Sequence, residues 1–388
     1  MSPSGQLGAG VDVTSFSRVR DTFLDSQYRA QNTALQQQKA RADGLNNAEL
    51  SLAEPGDSGV SAALDGFWTA WGSLQQSPDL DAAKQTVIAK GAALTDSIQS
   101  VRSQMVAAQQ DAQGQYDSIT GPQGDIAQAA TQLAGLNKSI ASFLTNGDAP
   151  NDLMDARDKL LDQLSGYGQI SVEPLPSGSM NVSFVDSSTG TTYPIVADQT
   201  ASWSAPAGDW NPSGQLGGLL SLAKTPGAID GYLNTLDTFA SNLASAVNTA
   251  YQGTFFTTGT PAAGTIQVAS ALQTSPSSLT SGTGASGSND LALAVSKLRD
   301  GASVDGLYKT FVAKVGSDVA ESQRLESNAQ VLTDSAQDRR ESVSGVSMDE
   351  EMSNLVTFQR AYQASSRAMS TMDEMLDVLI NRTGKVGL

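Results

Sequence analysis

The chain contains no cysteine and no histidine among its 388 residues. These absences exclude cysteine nucleophiles, serine–histidine–aspartate triads, thiolate zinc sites and imidazole metal sites, because each needs one of the missing side chains. Much of enzyme chemistry is therefore closed to this chain. Together with the weak motifs weighed below, these absences lead us to expect no catalytic residue, no cofactor and no metal ion. The lack of cysteine leaves the redox compartment open, since cytosolic proteins and exported proteins without disulfides can both lack it.

Basic residues and long apolar runs are also scarce. The 23 Lys and Arg face 40 Asp and Glu, which gives a formal charge of -17. This sign is unfavourable for binding phosphates or anionic lipid headgroups, so we expect neither nucleic acid nor a membrane as a partner. The apolar runs are too short to span a bilayer core of ~30 Å, and residues 1–10 lack the features of a secretory signal peptide. With 39% apolar residues, the chain is still long enough for two or three domains with buried cores.

Most of the chain has the apolar periodicity of amphipathic helices, with apolar residues three and four positions apart. This spacing predicts helices over residues 11–51, 60–75, 80–119, 125–144, 153–164, 214–251, 291–298 and 307–335. Two stretches, residues 170–203 and 255–268, instead carry β-branched and aromatic residues among Gly, Ser and Thr, which predicts strands and turns. Residues 274–288 are dominated by Ser, Thr and Gly and predict a surface loop.

These elements predict an α+β fold: an elongated multidomain chain with a long-helix bundle body, a small β-rich insertion and a C-terminal heptad helix. We assign residues 1–165, 212–254 and 289–345 to the helical body. Residues 166–211 and 255–288 are expected to form one β-rich insertion that faces outward. Residues 346–388 form the C-terminal assembly helix in this division.

The C-terminal helix has the most regular pattern in the chain. Counting in sevens from Met348 places Met348, Leu355, Tyr362, Met369 and Leu376 at one seam position. The other seam position holds Glu351, Phe358, Ser365, Met372 and Leu379. Such spacing over four heptads predicts a helix that packs along another helix as in a coiled coil. A core helix of a globular domain would give a similar but looser pattern, so that interpretation stays open here.

Two short motifs raise enzymatic alternatives on weak grounds. Residues 282–287 have the G-x-G-x-x-G spacing of dinucleotide sites, but the polar segment before them does not predict the required buried strand. Ser221 and Lys224 have the S-x-x-K spacing of some serine hydrolases, but the companion motifs of that class are inverted or interrupted. The simpler interpretation places both side chains on the polar face of a helix.

An acidic cluster suggests paired-carboxylate catalysis or calcium binding. It consists of Asp148, Asp152, Asp155, Asp158 and Asp162. The steps of three and four place the last three on one helix face, while the first two lie near a helix N-terminus, where the helix dipole favours acids. The spacing does not match a calcium loop, so we interpret the cluster as a solvated helix face.

Several segments resemble bacterial flagellar axial proteins. Residues 344–355 (Ser-Gly-Val-Ser-Met-Asp-Glu-Glu-Met-Ser-Asn-Leu), followed by residues 359–365 and 372–376, resemble the terminal helix shared by rod, hook and hook-associated proteins. Residues 8–13 (Gly-Ala-Gly-Val-Asp-Val), 151–162 (Asn-Asp-Leu-Met-Asp-Ala-Arg-Asp-Lys-Leu-Leu-Asp) and 214–220 resemble the hook-associated protein 1 family. The resemblance spans nearly the whole chain.

This resemblance implies a structural subunit, not an enzyme, at the junction between the flagellar hook and filament. It implies an extracellular location reached by flagellar export without a cleaved signal peptide. The implied partners are further copies of the chain in a ring, the hook protein, hook-associated protein 3 and an export chaperone at the C-terminal helix. The implied assembly interface consists of Met348, Leu355, Phe358, Tyr362, Met369, Met372, Leu376 and Leu379.

Two other functions remain as alternatives: another flagellar axial protein, either a hook subunit or hook-associated protein 3, and an exported serine hydrolase that uses Ser221 and Lys224. The family also begins with a helical region of several dozen residues that this chain would lack. We therefore expect the heptad helix to be without its native partner and to be mobile in the isolated chain, because a lone amphipathic helix is marginally stable.

Overall fold

Long helices make up most of the structure, a computed structural model that describes residues 20–54, 56, 59–208, 210–299, 301–344 and 348–382. The prediction for residues 11–19 lies outside these ranges. The helices are α1 Thr22–Leu50, α2 Val60–Gln76, α3 Asp81–Thr120, α4 Asp125–Thr145, α5 Asn151–Tyr167, α6 Gly214–Ala223, α7 Ala228–Tyr251, α8 Ala262–Thr265, α9 Ser270–Thr274, α10 Asp290–Ser296, α11 Asp305–Ser344 and α12 Met348–Asp377. With the small sheet described below, they confirm the predicted α+β fold class. No helix among the described residues combines the length and apolar character that a membrane span requires.

Helices α1 and α11 run antiparallel along each other. At one end Arg340 of α11 contacts Asp25 of α1, and at the other Gly316 lies beside the Glu49 carboxylate. Residues near the start of α1 therefore face residues near the end of α11. Since α12 begins only four residues after Ser344, the start of α1 and the start of α12 lie at the same end of the body.

The centre of the core is an aromatic cluster on α2. Phe67 and Trp71 are fully buried, with ring centroids 5.5 Å and 5.3 Å from that of Phe255. Trp68 follows on the same face, and its indole Nε1 donates a hydrogen bond of 3.0 Å to Asp305 at the start of α11. The three- and four-residue spacing on α2 thus forms the expected apolar face. Asp305 connects that face to the paired helices α1 and α11.

Four antiparallel strands form a small sheet in sequential order. They are β1 Ile170–Pro174, β2 Met180–Val185, β3 Thr192–Ala197 and β4 Thr200–Ala201. Met180, Val182 and Phe184 alternate with less buried residues, so one face of the sheet is apolar and faces the helices. On α4, Asn137 fixes this face by donating hydrogen bonds to the backbone oxygens of Met180 and Asp198.

The structure separates the two β segments that the sequence analysis joined. Strands β5 Phe256–Thr257 and β6 Gln267–Val268 form a second sheet, which shares no strand with the first. Phe255 and Phe256 are buried, and both of their backbone N–H groups donate to the Asn248 side-chain oxygen. Residues 255–268 therefore belong to the core of the helical body, because their aromatic side chains fill the space between α2, α3 and α7.

The predicted helix over residues 214–251 is in fact two helices. Helix α6 ends at Ala223, and α7 begins at Ala228. Pro226 and Gly227 lie in the break, where proline supplies no backbone N–H to continue the helix and glycine favours its end. Ser221 donates a hydrogen bond of 2.7 Å to the Gly218 oxygen, and Lys224 lies past the last helical residue with extended backbone angles. Lys224 still donates its backbone N–H to the Leu220 oxygen at 2.9 Å, so Ser221 lies in the last turn of α6 and Lys224 directly follows that turn.

Candidate assembly surface

Helix α12 presents its apolar seam to solvent. Every side chain over residues 351–380 is exposed. The exposed fractions reach 73% for Phe358 and 76% for Tyr362. Leu355, Met369, Met372, Leu376 and Leu379 are each more than half exposed, and the side chain of Met348 lies outside the described residues. Soluble monomers rarely expose contiguous apolar patches of this kind, so the seam is a candidate interaction surface.

The seam turns gradually around the helix axis. A straight helix advances 100° per residue, so residues seven apart are offset by about 20°. Leu355, Tyr362, Met369 and Leu376 therefore form a slanted stripe about 32 Å long at 1.5 Å per residue. A partner helix that follows this stripe must wind around α12 with a left-handed twist.

Five further apolar side chains lie outside the two seam positions of the heptad count. Met352, Val356, Met375, Val378 and Ile380 are all exposed, with fractions between 44% and 73%. The signal in the sequence was their apolar character, which a strict count of two seam positions leaves out. Met352, Met375 and Ile380 adjoin the seam and widen the apolar arc beyond that of a two-stranded coiled coil, whereas Val356 and Val378 lie farther around the helix.

Two further exposed apolar side chains lie on the body, at the end from which α12 starts. Phe23 at the start of α1 is 70% exposed, and Val343 near the end of α11 is 46% exposed. The antiparallel pairing of these helices puts both residues at the end from which α12 starts. Phe23 falls within the predicted helix over residues 11–51, and apolar spacing alone does not show which of the apolar residues of a helix are exposed.

Only part of the acidic cluster around α5 is the solvated face that its spacing predicts. Asp148, Asp152 and Asp155 are exposed, whereas Asp162 lies 2.7 Å from Arg29 of α1 and 2.6 Å from Arg340 of α11. Asp158 is buried and pairs with Arg29 at 3.4 Å. The interpretation was wrong for Asp158 and Asp162, because both arginines come from distant parts of the chain. Among the described residues, no group of three or more acidic side chains is arranged to hold a metal ion.

The glycine-containing segment at residues 282–287 has no strand directly before it. The described elements that precede it are α9 and a short 3₁₀ turn at Pro276–Ser278. Asp290 closes the segment by accepting hydrogen bonds from the Thr283 hydroxyl, the Ser288 hydroxyl and the Thr283 backbone N–H. These bonds lower the pKa of Asp290 to about 2. The segment is thus a self-contained loop and lacks the strand–turn–helix context of a dinucleotide site.

Two protein-family models match this chain. The family model described as "Flagellar hook-associated protein FlgK helical domain" matches residues 45–265, more than half of the chain. A second, described as "Flagellar basal body rod FlgEFG protein C-terminal", matches residues 337–382 and so includes α12.

Individual relatives extend the likeness. Flagellar hook-associated protein 1 of Bacillus subtilis strain 168 is 28% identical over 452 aligned positions, which cover 99% of this chain and 88% of that protein. Its namesake from Escherichia coli K12 is 27% identical over 67% of this chain, but the match covers only 50% of that protein. The solved structure described as the flagellar hook junction protein FlgK from Burkholderia pseudomallei has a TM-score of 0.50 and 21% identity, and the match covers 60% of this chain and 47% of that one. That structure supports the fold alone, whereas the match to the helical-domain model identifies the chain as a member of the flagellar hook-associated protein FlgK family.

Proposed function

We propose that the chain is a structural subunit of the bacterial flagellum that forms part of the junction between hook and filament. The observation that carries this proposal is α12, a helix of 30 residues whose apolar seam is exposed from residue 351 onward, in a chain that belongs to a family of flagellar proteins. The names of the relatives, flagellar hook-associated protein 1, support the junction over other positions on the flagellum.

Assembly, in this proposal, buries the seam residues Met348, Leu355, Phe358, Tyr362, Met369, Met372, Leu376 and Leu379 against helices of the same and neighbouring subunits. Full burial of one large apolar side chain contributes about 1.5–3 kcal/mol. Eight such residues together can offset an association cost of roughly 4–15 kcal/mol. The helical body then makes lateral and axial contacts, and the sheet of β1–β4 faces outward.

The proposed partners are further copies of the chain in a ring, the hook protein and hook-associated protein 3. An export chaperone is a further proposed partner, because an uncovered apolar helix at cellular concentration favours premature association. The proposed location is outside the cell, reached by flagellar export without a cleaved signal peptide. The net charge of -17 supports the proposal that neither nucleic acid nor a membrane is a partner.

Another axial position, as a hook subunit or hook-associated protein 3, is the second candidate. The match of residues 337–382 to a rod-protein model favours the axial class without choosing among its members. A serine hydrolase is a weaker alternative, since Ser221 already donates its hydroxyl to a backbone oxygen and Lys224 lies outside the helix. If the chain is a structural subunit, Ser221→Ala should leave filament attachment unchanged.

Immunogold electron microscopy on the source bacterium tests the proposed position. An antibody raised against residues 166–211 avoids the C-terminal helix, whose sequence pattern is shared by axial proteins. We expect gold confined to a band between hook and filament. Gold along the whole hook or filament would assign the chain to another axial subunit, and a deletion strain provides the background for both readings.

A further inference from the structure

A row of alternating basic and acidic side chains lies near the end of α11, the end that leads into α12. Arg340 on α11 lies 2.6 Å from Asp162 on α5 and 3.6 Å from Asp25 on α1. Asp25 also pairs with Arg20 at 3.2 Å, and Asp162 also pairs with Arg29 at 2.7 Å. Arg340 thus joins two ion pairs and links three helices that are far apart in the sequence.

We propose that Arg340 is a positioning residue for assembly: it holds the last turns of α11 against α1 and α5 and thereby fixes the point from which α12 is presented to neighbouring subunits. Helix α11 ends four residues after Arg340, and α12 begins four residues later. The inference rests on the proposed function, because the starting point of α12 matters only if α12 is the assembly surface.

Apolar packing of α11 against the body weakens toward this end. The first half of the helix buries Tyr308, Phe311, Val315 and Val319. Beyond them the buried side chains are small or polar, namely Ser322, Ala329, Thr333 and Ala336. Because stabilisation scales with the apolar area removed from water, these small side chains hold the second half much less firmly. The ion pairs of Arg340 are therefore placed where apolar burial is least able to fix the helix.

The environment of Arg340 makes these pairs stronger than ordinary surface ion pairs. The side chains of Arg340 and Asp25 are only 15% and 8% exposed, so water screens them little. The Arg340 guanidinium also lies over the Tyr28 ring, with its Cζ 4.0 Å from the ring centroid. A planar guanidinium can contact two carboxylates and an aromatic face at once, which a lysine ammonium cannot.

Release of these turns would displace the start of α12 by more than helix packing tolerates. Eight helical residues span about 12 Å, whereas eight extended residues span up to roughly 28 Å. The difference exceeds the 8–10 Å that separates the axes of packed helices. A subunit whose α11 is frayed at residues 337–344 therefore cannot present α12 in one fixed place.

Arg340→Met tests the inference in the full chain. The variant keeps the aliphatic stem, and Asp25 and Asp162 retain Arg20 and Arg29 as partners, so we expect the body to fold. Amides over residues 333–344 should exchange hydrogen at least about ten-fold faster, and the fraction of cells with attached filaments should fall several-fold. Arg324→Met is the matched control, because Arg324 lies on the same helix and its ion pair, with Glu321 one turn away, stays within α11. Unchanged exchange or unchanged filament attachment in Arg340→Met would overturn the inference.

A variant with matched stability separates positioning from a general loss of stability. Val182→Ala removes buried apolar volume in the sheet, far along the chain from α12. The two variants should be compared at a temperature where both retain the same folded fraction. Loss of filament attachment in Arg340→Met alone would support the positioning role, whereas an equal loss in both variants would overturn it.

The proposed function is tested separately by polar substitutions on α12. If Leu355→Asp and Tyr362→Asp block attachment while Arg340→Met does not, the positioning role fails and the assembly function stands. If the α12 variants attach filaments normally, the assembly function fails, and the role of Arg340 in presenting α12 fails with it.

Discussion

Replacing Leu355 or Tyr362 with Asp should abolish assembly at the junction while the body stays folded. Both side chains are largely exposed in the single chain, at 54% and 76%, so the substitutions remove little from the body's own packing. In an assembled interface, however, each would bury an unpaired carboxylate, which costs several kcal/mol and outweighs the burial of one apolar side chain. We expect cells carrying either variant to show at least about a ten-fold loss of attached filaments, because a penalty of several kcal/mol lowers an association constant by more than ten-fold.

The control for this result lies on the opposite, polar face of the same helix, which carries Ser353, Arg360 and Arg367. Ser353→Asp introduces the same side chain about 160° away from Leu355 and about 180° away from Tyr362 around the axis. It should retain assembly, because this exposed position faces away from the seam. Melting temperatures should match across all three variants. Normal filament attachment with Leu355→Asp and Tyr362→Asp would refute α12 as the assembly surface.

Features that depend on neighbours along the chain were predictable from sequence. The heptad spacing of α12 and the apolar face of α2 follow from periodicity alone, because side chains three and four residues apart share a helix face. The break between α6 and α7 also had a local signal in Pro226, which the long apolar stripe across residues 214–251 outweighed in the prediction.

Features that depend on distant partners were not predictable. Asp158 and Asp162 have the spacing of a solvated helix face, and only the positions of Arg29 and Arg340 make them part of a buried network. Two adjacent aromatic residues such as Phe255 and Phe256 fit an outward strand or a core equally well. Their burial is decided by α2, which lies more than 170 residues earlier in the chain.

The burial of Phe255 in the core leads to the second large effect that we expect: Phe255→Ala should destabilise the whole helical body. The Phe255 side chain is fully buried, and its ring centroid lies within 6.0 Å of those of Phe67, Trp71 and Tyr251. Truncating a buried phenylalanine typically costs about 3–5 kcal/mol, because the loss of transfer free energy adds to the cost of the cavity. We expect the midpoint of urea unfolding, followed by helical circular dichroism, to fall accordingly.

The same hairpin provides the control. Gln267 on β6 is exposed, so Gln267→Ala should leave the midpoint of unfolding nearly unchanged. A separate outward insertion would behave differently: Phe255→Ala would then loosen residues 255–268 and leave the helical signal at its original midpoint. Gly91 gives an independent check, since a Cβ built there would lie 3.0 Å from the Phe255 ring. Gly91→Ala should therefore destabilise the native chain, yet it should cost less in Phe255→Ala, where the ring is gone, because residues in contact show non-additive effects.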